Sequence, residues 1–193
     1  MDLVNRVKQI LVSPKTEWLT IDSENDSQIK VLTNYVLLLA AIPAVATFIG
    51  YGLIGYSVFG HHIASVSLGI KQAIIQYITM VGGVYITAFV IDLLAENFGS
   101  KKNFDKAFSL VAYAYTPAFV GGVFYIYHSF SFLAGLAIIY SLYLLYIGLT
   151  PMMKTPDEKR TSYFVVSLLV MVAAFFILSI ALAAIIIGST YRF

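Results

Sequence analysis

Residues 92–122 read DLLAENFGSKKNFDKAFSLVAYAYTPAFVGG. An apolar helix arrives at Asp92 and Glu96. A short basic turn carries Lys101, Lys102 and Lys106, and a second apolar helix leaves through Tyr-Thr-Pro and a glycine pair. This is the pattern of a helical hairpin whose polar turn lies on one side of a bilayer. Composition agrees. Of 193 residues 60% are hydrophobic and only 11% are charged, against roughly 25% in a soluble domain. So small a soluble chain could not hide that much apolar surface. The apolar runs are near the length that crosses about 30 Å of hydrocarbon. With no cysteine, disulfides, thiol catalysis and thiolate metal sites are excluded. A net charge of +2 gives no reason to expect nucleic acid.

Outward from the hairpin, spans are expected at 31–56, 72–94, 109–127, 132–151 and 163–190. The fold class is therefore an all-α membrane protein with five transmembrane helices. Ten basic residues (Arg6, Lys8, Lys15, Lys30, Lys101, Lys102, Lys106, Lys154, Lys159 and Arg160) then fall on one side and two, Lys71 and Arg192, on the other. The positive-inside bias predicts a cytoplasmic N-terminus and an outside C-terminus. A four-span arrangement would scatter these charges.

Residues 1–30 are expected to form a cytoplasmic interfacial segment ahead of a membrane domain at 31–193. Leu3, Val4, Val7, Ile10 and Leu11 recur at helical spacing, as in a short amphipathic helix lying on a membrane surface. No small-residue cleavage site ends an early apolar run, so this is not read as a signal peptide. Ser13-Pro14 starts a second helix, with Ser as N-cap and Pro first. Trp18, the only tryptophan, is expected at headgroup level as an interfacial anchor. Residues 22–27, DSENDS, lack the glycine and the closing glutamate of a calcium loop and read as a solvated loop that caps the next helix.

Three stretches, ILVSPKTEW (10–18), LLAENFGSKKNFDKAFSLVAYAYTPAFVGG (93–122) and YLLYIGLTPMMKTPDEKRTSYFVV (143–166), resemble the bacterial branch of the Yip (Ypt/Rab-interacting-protein) family of membrane proteins. The resemblance implies five spans with a cytoplasmic N-terminus, placed in the bacterial inner membrane. Eukaryotic members are associated with Rab-type GTPases. This chain lacks their D-L-Y-G-P motif and has a short N-terminal part, which argues against carrying GTPase binding over.

Two groups of residues are candidate sites. Asp92 and Glu96 share one helix face and are expected to form a polar cluster with Lys101, Lys102 and Lys106, structural or ion-binding. Pro43, Tyr113, Tyr115, Thr116, Pro117, Gly121 and Gly122 are expected to make a kink or a cavity. Pro117 frees the Tyr113 carbonyl, and broken helices line many transporter sites. His61, His62 and His128 lack the geometry of a metal site. Nucleophile, base and oxyanion groups do not occur together, so no enzymatic activity and no cofactor are expected. The reading is a membrane organiser or partner-binding protein, its partners the lipid bilayer and another membrane protein or a second copy. The alternative is a small ion or solute transporter using polar groups near Asp92 and Pro117.

Overall fold

The computed structural model describes residues 2–58 and 61–190, with side-chain surroundings described through residue 173 apart from residue 58. Two short helices, α1 (Leu3–Val12) and α2 (Pro14–Glu24), form an antiparallel pair. Among the described residues, four helices long and apolar enough to cross a membrane follow: α3 (Gln28–Ile54), α4 (Val66–Phe98), the segment Phe104–Ile126, and the helix ending at Met153. The third is divided into α5 (Phe104–Ala114) and α6 (Thr116–Gly121), which passes into a 3-10 turn. The fourth is α7 (Ser131–Met153), and α8 (Asp157–Thr190) is a helix over residues 163–190, where a fifth span is expected. Arg192, assigned to the outer side from sequence, lies outside the described residues.

The segment Phe104–Ile126 is the centre of the bundle. Within its most apolar stretch 72% of residues are buried, against 44%, 39% and 33% in the other three. Phe108, Leu110, Val111 and Phe119 have no exposure at all. Small residues permit the closest crossings. A Cβ at Gly69 would stand 2.6 Å from the Gly52 Cα, so α3 and α4 touch backbone to backbone, as small residues allow in membrane helices.

Two expectations are corrected here. The region 57–71 is not a plain loop: Tyr56–Val58 and His61–Ile63 pair as a two-stranded hairpin, and α4 begins at Val66. Ser65 accepts from the Leu68 N–H and so starts the helix six residues before the expected Gln72. The N-terminal segment, moreover, is not laid flat beside the bundle. Ile10 and Trp18 are buried in the core, and Leu3, Val7 and Leu11 pack against it. The apolar stripe of α1 meets protein, and Val4 on the other side is 71% exposed. Trp18 is 1% exposed, not presented to headgroups. Its ring would meet a Cβ at Gly148 at 2.8 Å, so the missing side chain of Gly148 is what admits it.

Asp22 fastens this pair to the rest. Its carboxylate accepts from Lys106 Nζ at 2.9 Å and from Lys154 Nζ at 2.5 Å, tying α2 to the start of α5 and the end of α7. Nearby, the Gln28 N–H donates to Asp105 at 2.8 Å, and the Lys101 N–H to the Met153 carbonyl at 2.8 Å. Burial pushes the Asp22 carboxyl up, but the hydrogen bonds from Lys154 and Lys106 more than offset this and hold its pKa below the ordinary carboxylate value. A lowered folded pKa contributes stability above the unfolded value, and that stability is lost as pH falls through the folded pKa. Asp22→Asn should therefore cost about 1.5–3 kcal/mol near neutral pH, the range for hydrogen bonds to charged groups. Thermal unfolding in detergent should show the gap between variant and parent narrowing as pH is lowered past about 4.

Candidate functional site

The site is built around the interruption of the central segment. Proline at 117 has no N–H to give the Tyr113 carbonyl. The helix stops at Ala114, turns through Tyr115 and restarts at Thr116. An unpaired peptide group inside a bilayer costs several kcal/mol, and here side chains of the bundle supply partners. The Thr116 hydroxyl donates to the Tyr113 carbonyl at 2.6 Å. With that proton committed, the Tyr35 hydroxyl of α3 donates to Thr116 Oγ1, also at 2.6 Å. Ser141 Oγ of α7 accepts from the Ala118 N–H at 3.2 Å, and Tyr115 shares a 3.0 Å hydrogen bond with Thr87 of α4. Helices α3, α4 and α7 thus each lend a side chain to the break.

Toward the N-terminal end the same residues floor a pocket. Tyr35 and Tyr113 meet edge to face at 4.6 Å, and the Arg6 guanidinium stands 5.5 Å from the Tyr113 ring centroid. Arg6 is 4% exposed. It pairs with Glu17 and, at 2.5 Å, with both oxygens of Glu24. Arg6, Glu24, Tyr35 and Tyr113, with Asp26, Lys30 and Asn34, line a pocket of about 370 Å³. Its wall carries both signs of charge and a tyrosine, a lining suited to a polar or zwitterionic group. Among the described residues of this wall there is no thiol and no imidazole.

The expected kink residues come together. Pro43 of α3 packs against Gly122, where a Cβ would stand 3.0 Å from the Pro43 Cα, and Gly121 packs against Ala137 of α7. Tyr113, Thr116 and Pro117 are buried and Tyr115 is half-buried. The expected charge cluster does not assemble. Glu96, Lys101 and Lys102 are exposed, and among the described residues none of them, nor Asp92, forms an ion pair with another member. Lys106 is turned away to Asp22. The cause is the left-handed Gly99 (φ 68°), followed by the 2.9 Å bond from Ser100 Oγ to Thr155, which draws the basic turn toward the end of α7. Asp92 is left half-buried near Tyr163, whose hydroxyl donates to the Ile91 carbonyl. Asp92 Oδ1 is buried with no hydrogen-bond partner among the described residues.

The Yip1 domain family matches residues 8–188, nearly the whole chain. The chain belongs to the Yip1 domain family. It is similar to the "Inner membrane protein YohC" of Escherichia coli strain K12, at 29% identity over 184 residues, covering 93% of this chain and 94% of that protein. The protein of the same name from Escherichia coli O6:H1 matches to the same extent. No solved structure matches. The match takes in α2, the whole of the broken helix and its partners Tyr35, Thr87 and Ser141, and it begins just after Arg6.

Arg6, Glu17, Glu24, Tyr35, Thr87 and Ser141 were not among the residues singled out from sequence. A search for hydroxyls on neighbouring spans near the mid-span proline would have found Tyr35 and Ser141 as candidates, but not their partners, Thr116 and the Ala118 N–H. Thr116→Val deletes the Tyr113 donor and the Tyr35 acceptor without changing shape, and should cost about 1–3 kcal/mol in thermal unfolding. Thr116→Ser should recover most of that loss.

Proposed function

We propose that this Yip1 domain is a non-enzymatic membrane organiser that holds a partner protein at its cytoplasmic face. It is a five-span protein of the bacterial inner membrane, α8 being the last span, with its N-terminus cytoplasmic. The membrane assignment draws on the printed name of the Escherichia coli relatives and the orientation on the basic residues gathered at one end. The observation that carries the reading is the rigid face made where Asp22 joins α2 to Lys106 and Lys154. Three chain segments distant in sequence are fixed there as one surface, and Lys101, Lys102 and Lys159 project from it exposed. That is the build of a docking platform formed by the turns at 96–108 and 152–162.

Transport has less support. Among the described residues the Tyr35, Thr87, Tyr115, Thr116 and Ser141 hydroxyls at the broken helix are bonded within the bundle. Asp92 lines neither the pocket beside Arg6 nor the 160 Å³ one beside Tyr115.

A photoreactive residue placed at Lys101 or at Lys159 should, in native membranes, crosslink to one defined neighbour or to a second copy. The same residue at His62, on the opposite end, should not. An uncrosslinked monomer at both positions would defeat the organiser reading.

A further inference from the structure

The contacts of α1 and α2 place them at an unexpected depth. The Tyr140 hydroxyl donates to the Leu11 carbonyl at 2.8 Å. Leu11 lies at the tip of the helical pair, one residue from the end of α1. Tyr140 lies near the middle of α7, thirteen residues before Met153, which at 1.5 Å per residue is about 20 Å from the end of that helix. A 23-residue helix is about 34 Å long and a hydrocarbon core about 30 Å thick, so the middle of α7 lies within hydrocarbon. A second contact agrees. α1 packs against α6, which begins twelve residues beyond Phe104, about 18 Å along the central segment. At the other end of the pair, Asp22 sits level with Lys154. The pair therefore runs inward from the polar end, turns at Ser13-Pro14 and returns.

We infer that α1 and α2 are a re-entrant hairpin whose outer face is covered by the acyl chains of the leaflet on the N-terminal side. Hydropathy alone gives no hint of it, because α1 and α2 are too short and too polar to register as a span. The surface chemistry fits lipid. Val4, Val12 and Leu19 are 71%, 73% and 64% exposed on the face turned from the bundle. The exposed hydroxyls on α2 do not look outward for partners. Thr16 donates to the Ser13 carbonyl, Thr20 to the Thr16 carbonyl and Ser23 to the Thr20 carbonyl. Such back-bonding satisfies a hydroxyl where water is absent. Arg6 and Glu17, the charges that could not face hydrocarbon, are turned inward and paired. Lys8 and Lys15 remain on the exposed side near the tip, too deep for their stems alone to reach the phosphates, so the leaflet thins or admits water around them.

The chain has no native cysteine, so single nitroxide labels read the depth directly. Val12→Cys, Asn25→Cys and Leu136→Cys would be labelled in vesicles of phosphatidylethanolamine and phosphatidylglycerol. Leu136 is an exposed residue within α7 and Asn25 follows α2 at the polar end. Collisions with oxygen, which dissolves in lipid, should dominate at Val12 as at Leu136, and collisions with a water-soluble nickel chelate should dominate at Asn25. If Val12→Cys does not fold, Leu19→Cys on the same outer face serves, with the same expectation. A label at Val12 or Leu19 that matches Asn25 would overturn the inference and put the hairpin in water. Depth is read here without any partner, so the result stands apart from the crosslinking experiment.

Discussion

Arg6 reaches from α1 between Glu17 and Glu24 of α2 and rests over the ring of Tyr113. It ties the N-terminal helices to each other and to the central segment. A charge at 4% exposure carries a desolvation cost of several kcal/mol, which only close partners offset. Once it is paired, the inner side of the hairpin is fixed. Ile10 enters the core, Trp18 lodges on Gly148, and Asp22 arrives within reach of Lys106 and Lys154. Tyr113, held from above by the guanidinium, presents its edge-to-face contact to Tyr35, and Tyr35 in turn reaches Thr116. The docking of the N-terminus and the satisfaction of the helix break are therefore one connected arrangement.

The break itself follows from what a bilayer forbids. Proline in a spanning helix is tolerated only where neighbours supply the missing hydrogen bonds. Here Thr116 answers for the carbonyl and Ser141 for the N–H, while Gly121 and Gly122 let Ala137 and Pro43 close on the far side. The result is a closed, strongly buried central segment. The proposed docking role accordingly uses the end clamped by Asp22.

Much of this was legible in residues 92–122. Their apolar runs, their basic turn and the Tyr-Thr-Pro break gave two apolar helices and the residues at the kink. Thr116 as the donor for Tyr113 could be read from the threonine standing next to the proline. Other parts were not legible for physical reasons. The stripe on α1 packs on protein, and its spacing would be the same had it met lipid, because both are apolar. Asp22 and Glu24 sit in a stretch with the composition of a solvated loop, and only their partners, more than eighty residues away for Lys106 and eighteen for Arg6, give them a structural role. Lys106 was paired by sequence proximity with Asp92 and Glu96, but the left-handed turn at Gly99 carries it elsewhere. Charge pairing across a bundle depends on where the turns point, which local spacing does not encode.

The buried ion pair is tested most directly by a double-mutant cycle on Arg6→Met and Glu17→Gln, read by thermal unfolding in detergent. Removing Arg6 leaves Glu17 an uncompensated buried charge and should cost about 3–5 kcal/mol, whereas removing Glu17 leaves Arg6 its bonds to Glu24 and should cost less. The double variant should cost clearly less than the two losses added. Losses that add to within about 0.5 kcal/mol would mean the two side chains do not act on one another, and would contradict the claim that this pair holds the N-terminal hairpin in the bundle.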